Sequence, residues 1–255
     1  MQFKLGKKPA RPDAVLLKAA SYFDLSALPK VPAHFGHPWV VRVWGMLGND
    51  FCGDCVWAGA AHETVLLHAD APTIVPTFTS KTVMADYSAV TGFNPHDMST
   101  DQGTDVQEAA EYRQKTGIVD ILGHRHKIDL YAEMRRGDLE QLAMLTYLNA
   151  ITGIGVQLPS SAEYQFNRAE IWDVIPGAHT VGGHYIPCVG RNSLGQFLFV
   201  TWGRLQAATG RWVQEYMDEG CAYISRARLD KLGLSPQGFN EAQLTDDFKQ
   251  VTGTA

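Results

Sequence analysis

Only four cysteines, Cys52, Cys55, Cys188 and Cys221, occur in 255 residues. That is too few to staple a chain of this size, so the expected setting is a reducing compartment, by default the cytoplasm. An excess of basic charge is also missing. Lys and Arg total 22 against 27 Asp and Glu, a net charge of −5, which removes the electrostatic footprint of a nucleic-acid binder. No apolar run is long enough to cross a bilayer, and the polar, basic start of the chain is not a signal peptide. The sequence has no glycine-rich phosphate loop, since Gly153-Ile154-Gly155 is too short. His62-Glu63 lacks the second histidine of a zinc-peptidase helix. Cys52 and Cys55 have redox or zinc spacing without two further ligands in view, and His124 and His126 read as a solvated loop rather than a metal pair. No cofactor is expected.

What is present concentrates between Asn49 and Glu63: Asn-Asp-Phe-Cys-Gly-Asp-Cys-Val-Trp-Ala-Gly-Ala-Ala-His-Glu. A glycine-bearing loop here delivers Cys55 to the first turn of a helix. Unpaired backbone N–H groups and the positive end of the helix dipole there favour thiolate over thiol. A second segment, Gly182-Gly183-His184-Tyr185-Ile186-Pro187-Cys188, places His184 at the mouth of a strand. A helix-start cysteine with a histidine on a distant strand is a common plan for thiol hydrolases. Cys188 and Cys221 fall on strands expected to be core, and Cys52 is open to either reading.

Around these motifs the chain divides into three parts. Residues 1–43 are proline-rich and read as an extended arm with one short helix near 13–20. Residues 44–150 carry helices at 55–68, 82–90, 105–115 and 138–147, the last with Asp138 as N-cap. Residues 151–230 turn to short β-branched and aromatic runs at 155–159, 171–175, 184–189, 196–202 and 221–225. Helices first and antiparallel strands after is an α+β pattern with a cleft between the halves. Residues 231–255 form a polar tail with one short helix near 241–250.

These pieces, over residues 44–230, resemble the papain-like cysteine peptidase family. Cys52-Gly53-Asp54-Cys55-Val56-Trp57 is similar to its Cys-Gly-Ser-Cys-Trp motif, and Asn49 stands six residues before Cys55, where the family has its oxyanion Gln. Asp101-Gln102-Gly103-Thr104-Asp105 resembles its Gly-Gly stretch, Gly183-His184 its base, and Phe199-Val200-Thr201-Trp202-Gly203 its Asn-Ser-Trp-Gly strand. The stretch 148–158 resembles its Gly-Pro-Val strand, and Gly220-Cys221-Ala222-Tyr223-Ile224 its closing Gly-Tyr-Ile strand. The resemblance implies an α+β papain-like fold, a helical half packed on a β half, and hydrolysis of a peptide or amide substrate. It also implies Cys55 as nucleophile, His184 as base and Asn49 as oxyanion donor, with Trp202 shielding the histidine.

The departures are equally specific. Counting sixteen residues from His184 puts Val200, which has no hydrogen-bonding side chain, where the family carries the Asn that orients its histidine. Thr201 or Asn192 is left for that role, although strand alternation turns Thr201 away from Val200. Asp54 beside Cys55 opposes a thiolate unless it points away. The family's counterpart of Cys52 forms a disulfide, for which no partner is evident here. The arm is shorter than the family's inhibitory propeptide, which argues against a zymogen of the usual kind. The competing expectation is a papain-like fold whose catalysis has decayed. It would be kept as a structural or binding subunit of a larger assembly, such as a viral particle, through its arm and tail.

Overall fold

A computed structural model describes residues 3–11, 30–70 and 73–224 of the chain. The helices expected near 13–20 and 241–250, and the tail, lie outside the described residues. Helix α1, Cys55–Ala69, is mostly apolar with no polar face, and is buried along most of its length together with its His62, Glu63 and Thr64. A helix of that kind belongs inside a core rather than on a surface. Its Gly59 faces the ring of Tyr185, and a Cβ there would come within 2.6 Å of it. Glycine therefore lets the helix backbone settle directly onto a strand.

Helix α2, Ser80–Thr91, starts from a reciprocal Thr79–Thr82 capping box and ends at Gly92 in the left-handed region, φ 76°. Helix α3, Val106–Lys115, is N-capped by Asp105, which accepts from the Glu108 N–H. After it come the short pair β1, Ile118–Val119, and β2, Arg125–His126, then β3, Leu130–Glu133. Helix α4, Leu139–Asn149, begins at the expected N-cap Asp138, whose side chain accepts from Gln141 N–H. The rest comprises β4, Thr152–Pro159; α5, Ser161–Asn167; β5, Thr180–Arg191; β6, Phe197–Thr201; β7, Arg204–Ala208; α6, Gly210–Tyr216; and β8, Met217–Ile224. Six strands form one antiparallel sheet in the order β3-β8-β4-β5-β6-β7. Among the described residues, no helix is long and apolar enough to cross a membrane.

The α+β class is observed, with helices and strands more interleaved than the sequence suggested. The strand expected at 171–175 is absent. Trp172 makes a single bridge to Ala208, while its ring is buried against Trp212, 4.6 Å between centroids, and donates to the Ala162 carbonyl. The aromatic and β-branched composition that reads as a strand there serves packing instead.

A buried ion pair between two helices is joined to the sheet by two tyrosines. Glu63 of α1 lies 2.7 Å from Arg113 of α3 and accepts from the Tyr185 hydroxyl of β5, also at 2.7 Å. The Arg113 guanidinium covers the Tyr223 ring of β8 at 4.1 Å. Removing one partner strands the other charge in the interior, so Arg113→Met should cost about 3–5 kcal/mol of stability, read as a lower urea midpoint. An unchanged midpoint would show that the pair contributes nothing net.

His62, on the same helix, is buried and donates from Nε2 to the Trp44 and Gly45 carbonyls at 2.9 and 3.1 Å. Burial pulls its pKa from 6.5 down to about 4. Between those values the unfolded chain binds the proton and the folded chain does not. Stability is therefore full above pH 6.5 and falls as pH drops, by up to about 1.4 kcal/mol per pH unit from this group. His62→Gln should flatten that dependence in urea titrations run from neutral pH downwards, and an unchanged slope would exclude His62 as its source.

Candidate active site

Cys55 is the first residue of α1, and Asp54 before it makes no side-chain cap. The preceding loop is tightly wound, with Phe51 and Cys52 N–H groups both donating to the Gly48 carbonyl. It is pinned to the 101–105 loop: Gly53 N–H donates to Asp101, and the Trp57 indole donates to Thr104 Oγ1 at 2.9 Å. Asp101 also receives the Tyr87 hydroxyl at 2.5 Å. All four cysteines are free and buried, so Cys52 forms no disulfide.

His184 lies on β5, and backbone groups of the next residue, Tyr185, face the Cys55 thiol and favour its ionised form. The imidazole Nε2 is 2.7 Å from Thr201 Oγ1 on β6, and the ring stacks on Trp202, 4.8 Å between centroids. Of the two residues expected to orient the histidine, Thr201 therefore touches its ring. Asn192 does not: its Oδ1 accepts from Leu194 and Gln196 N–H groups in the turn between β5 and β6. The placement of Thr201 follows from strand register. Cys188 pairs with Phe199, but a bulge then pairs Gly190 with Leu198. Continuing from Cys188, the even residues of β5 and the odd residues of β6 share a face, which carries both His184 and Thr201. Val200 points the other way, into a small core with Trp44, Leu66 and Val189.

The cleft is not open. Residues of the N-terminal arm run through it in extended form. The Phe3 ring stacks on Trp202 at 4.3 Å, and Lys4 exchanges two hydrogen bonds with Asn49. One of these is donated by the Asn49 side-chain amide to the Lys4 carbonyl at 3.0 Å. Gly6 accepts from Thr104 N–H at 2.7 Å, Lys7 N–H donates to the Gly183 carbonyl at 3.1 Å, and Lys8 N–H donates to Thr104 at 2.9 Å. A Cβ on Gly6 would lie 1.7 Å from the Gly53 carbonyl oxygen. The arm, expected to be shorter than the family's inhibitory propeptide, reaches the site through residues 3–8 alone.

Electrostatics follow from that covering. Burial pushes Cys55 up to about 12 and His184 down to about 3, so both are held neutral. Asp54 is raised well above the carboxylate range, first by burial and then by the Asp101 charge. The Asp54 charge still counts among the causes that raise Cys55, after burial, as its position suggested. Sequence reasoning missed the arm's path. The available signal was glycine: Cβ atoms on Gly103 and Gly183 would come within 2.3 and 2.2 Å of arm carbonyl oxygens.

No protein-family profile and no curated protein sequence matches the chain. Solved structures do match. Xylellain, a cysteine protease from Xylella fastidiosa, aligns with a TM-score of 0.65 at 13% identity, over 89% of this chain and 99% of that one. Procathepsin B S9 from Trypanosoma congolense aligns with a TM-score of 0.64 at 11% identity, over 86% of each chain. The fold is papain-like. A recombinant stem bromelain precursor shares it, with a TM-score of 0.57 at 13% identity over 86% of this chain and 76% of that one. At such identities the backbone is what is shared, and the chemistry of this papain-like chain has to be argued from its own side chains.

Proposed function

We propose that the chain is a papain-like thiol hydrolase of peptide or amide bonds, latent while its own residues 3–8 lie in the cleft. The observation that carries this reading is the His184–Thr201 hydrogen bond at 2.7 Å under the Trp202 ring. It supports the reading because it offers the histidine a hydrogen-bond partner that Val200 cannot be. With Nε2–H donated to Thr201, the lone pair of Nδ1 is left for the thiol proton; Nδ1 is buried and has no hydrogen-bond partner among the described residues.

Once the cleft is vacated and wet, Cys55 transfers its proton to His184. The thiolate then attacks the substrate carbonyl carbon, forming a C–S bond. The carbonyl electron pair moves onto oxygen, which the Cys55 N–H and Asn49 amide stabilise. That amide already donates to a carbonyl, the one of Lys4. As the C–N bond breaks, imidazolium protonates the departing amine, and water, deprotonated by His184, hydrolyses the thioester. The test is cleavage of a fluorogenic peptide pool by the full-length Gly6→Ala chain, with Cys55→Ser in the same background as control. Turnover lost with the serine supports the reading.

The filled cleft, with both groups neutral, favours a second reading: a papain-like module kept for binding or assembly. That reading is supported if Cys55 stays inert after the arm is displaced. The solved structures of this fold that are themselves a precursor and a proenzyme favour the latent hydrolase.

A further inference from the structure

We propose that the pocket formed by Asp218, Glu219 and Gln157 selects substrate, and that it takes the side chain of a lysine or arginine. This rests on the hydrolase reading above and names the substrate class for it. The pocket is already occupied by a side chain of that class. Lys7 Nζ lies 3.0 Å from Asp218 Oδ2 and 2.7 Å from Glu219 Oε1, donates to the Lys8 carbonyl at 2.9 Å, and its side chain is wholly buried. Gln157 Nε2 donates to Asp218 Oδ2 at 2.6 Å and fixes that carboxylate.

Two glycines shape the entrance. A Cβ on Gly155 would come within 2.6 Å of both Lys7 Cδ and Glu219 Cγ, and one on Gly183 within 2.2 Å of the Lys7 carbonyl oxygen. The main-chain bonds of Lys7 and its neighbours, to Gly183 and Thr104, could be made by any extended peptide. Selectivity among peptides must therefore come from what enters the pocket.

The pocket also holds more acceptor capacity than one ammonium uses. Two carboxylates face a single cation, and Asp218 Oδ1 is buried with no hydrogen-bond partner among the described residues. It continues into a cavity of about 510 Å³ bordered by Tyr131, Glu133, Arg136 and Cys221, so a longer side chain has room. A guanidinium, with five N–H donors, matches the surplus acceptors better than an ammonium does. An acidic side chain would meet two like charges in a largely buried pocket, and an apolar one would leave both carboxylates without a counter-charge.

The experiment uses a positional-scanning library of fluorogenic peptides on the full-length Gly6→Ala chain, with Lys7→Glu as a second means of displacing the arm. At one library position, arginine or lysine should exceed leucine by at least tenfold, and glutamate should be worst. In the added Asp218→Asn/Glu219→Gln background the same arginine-to-leucine ratio should fall below threefold. Equal cleavage of basic and neutral peptides, or a ratio indifferent to the two substitutions, overturns the proposal and leaves the pocket an anchor for Lys7 alone.

If no peptide is cleaved, the hydrolase reading fails first, and the pocket is then read by binding. A labelled peptide of the sequence of residues 3–8 is compared with its counterpart carrying norleucine at the Lys7 position, on the same displaced chains. A tenfold preference for lysine, lost in the double substitution, would keep the basic-side-chain pocket. Equal affinities would end it.

Discussion

Replacing Gly6 by alanine is expected to raise the alkylation rate of Cys55 by iodoacetamide at neutral pH at least ~10²-fold, because it frees a thiol whose ionisation burial suppresses. With its pKa pushed to about 12, Cys55 carries on the order of 10⁻⁵ thiolate at neutral pH in the filled cleft. The added methyl would sit 1.7 Å from the Gly53 carbonyl oxygen. That oxygen belongs to the backbone before α1, tied to Asp101, and has little freedom to yield. The arm must therefore move. Vacating the cleft returns water to Cys55 and His184 and removes the desolvation that holds both neutral. A helix-start thiol beside an imidazolium falls to about 3.5–7.5, so the thiolate becomes a major species near neutrality. A lower pKa also makes the thiolate intrinsically less nucleophilic, which is why the expected gain is smaller than the population ratio.

Alkylation followed by mass spectrometry at the Cys55 peptide reads this directly, and Cys188 serves as an internal reference that stays buried in a strand. Lys7→Glu, which puts a carboxylate against Asp218 and Glu219, should release the arm by repulsion and give the same gain. A Cys55 rate that neither substitution moves would show that the arm is not what silences the thiol.

The halves of this site were unequally legible in the sequence. Cys55 could be placed because a glycine-bearing loop, a helix start and a run of small residues are all local signals, and α1 begins where they put it. His184 was visible through the β-branched run around it. The orienting residue was not, because counting sixteen residues assumes an unbroken ladder. The bulge at Cys188–Gly190 inserts one residue on one strand only, and with it the face of β6 that meets the histidine changes from Val200 to Thr201. A bulge is a property of two strands together, and neither run announces it alone. The arm escaped for a different reason. Residues 3–8 have no hydrophobic period: part of their order comes from main-chain pairing to Gly183 and Thr104, and the rest from Phe3 on Trp202 and Lys7 on Asp218 and Glu219, partners far away in sequence. The segment at 171–175 failed in the opposite direction, because Trp172 is large and aromatic to fill a gap beside Trp212 rather than to build a ladder.

That register has a consequence for catalysis that separates the two histidine-linked residues by magnitude. In the Gly6→Ala chain, His184→Ala should lower kcat/KM for the best peptide by about 10²–10⁴-fold, the usual contribution of a positioned general acid and base. Thr201→Val should do much less. It removes one neutral hydrogen bond, worth about 1 kcal/mol, and so costs about fivefold if the full worth of that bond is realised only in the transition state. The two differ in kind as well as size. Without His184 the thiol loses its counter-charge, and the pH dependence of Cys55 alkylation should move up towards the free-thiol value of about 8.5. In the proposed pair the imidazole remains when Thr201 is replaced but is free to turn, so the alkylation profile should hold its midpoint while turnover falls. Thr201→Ser keeps the hydroxyl and should restore most of the lost turnover, which a merely packing role for the threonine would not do. If instead Thr201→Val is as severe as His184→Ala, the hydroxyl is doing more than orienting. If His184→Ala leaves alkylation and turnover unchanged, the pairing of Cys55 with His184 is wrong, and with it the hydrolase.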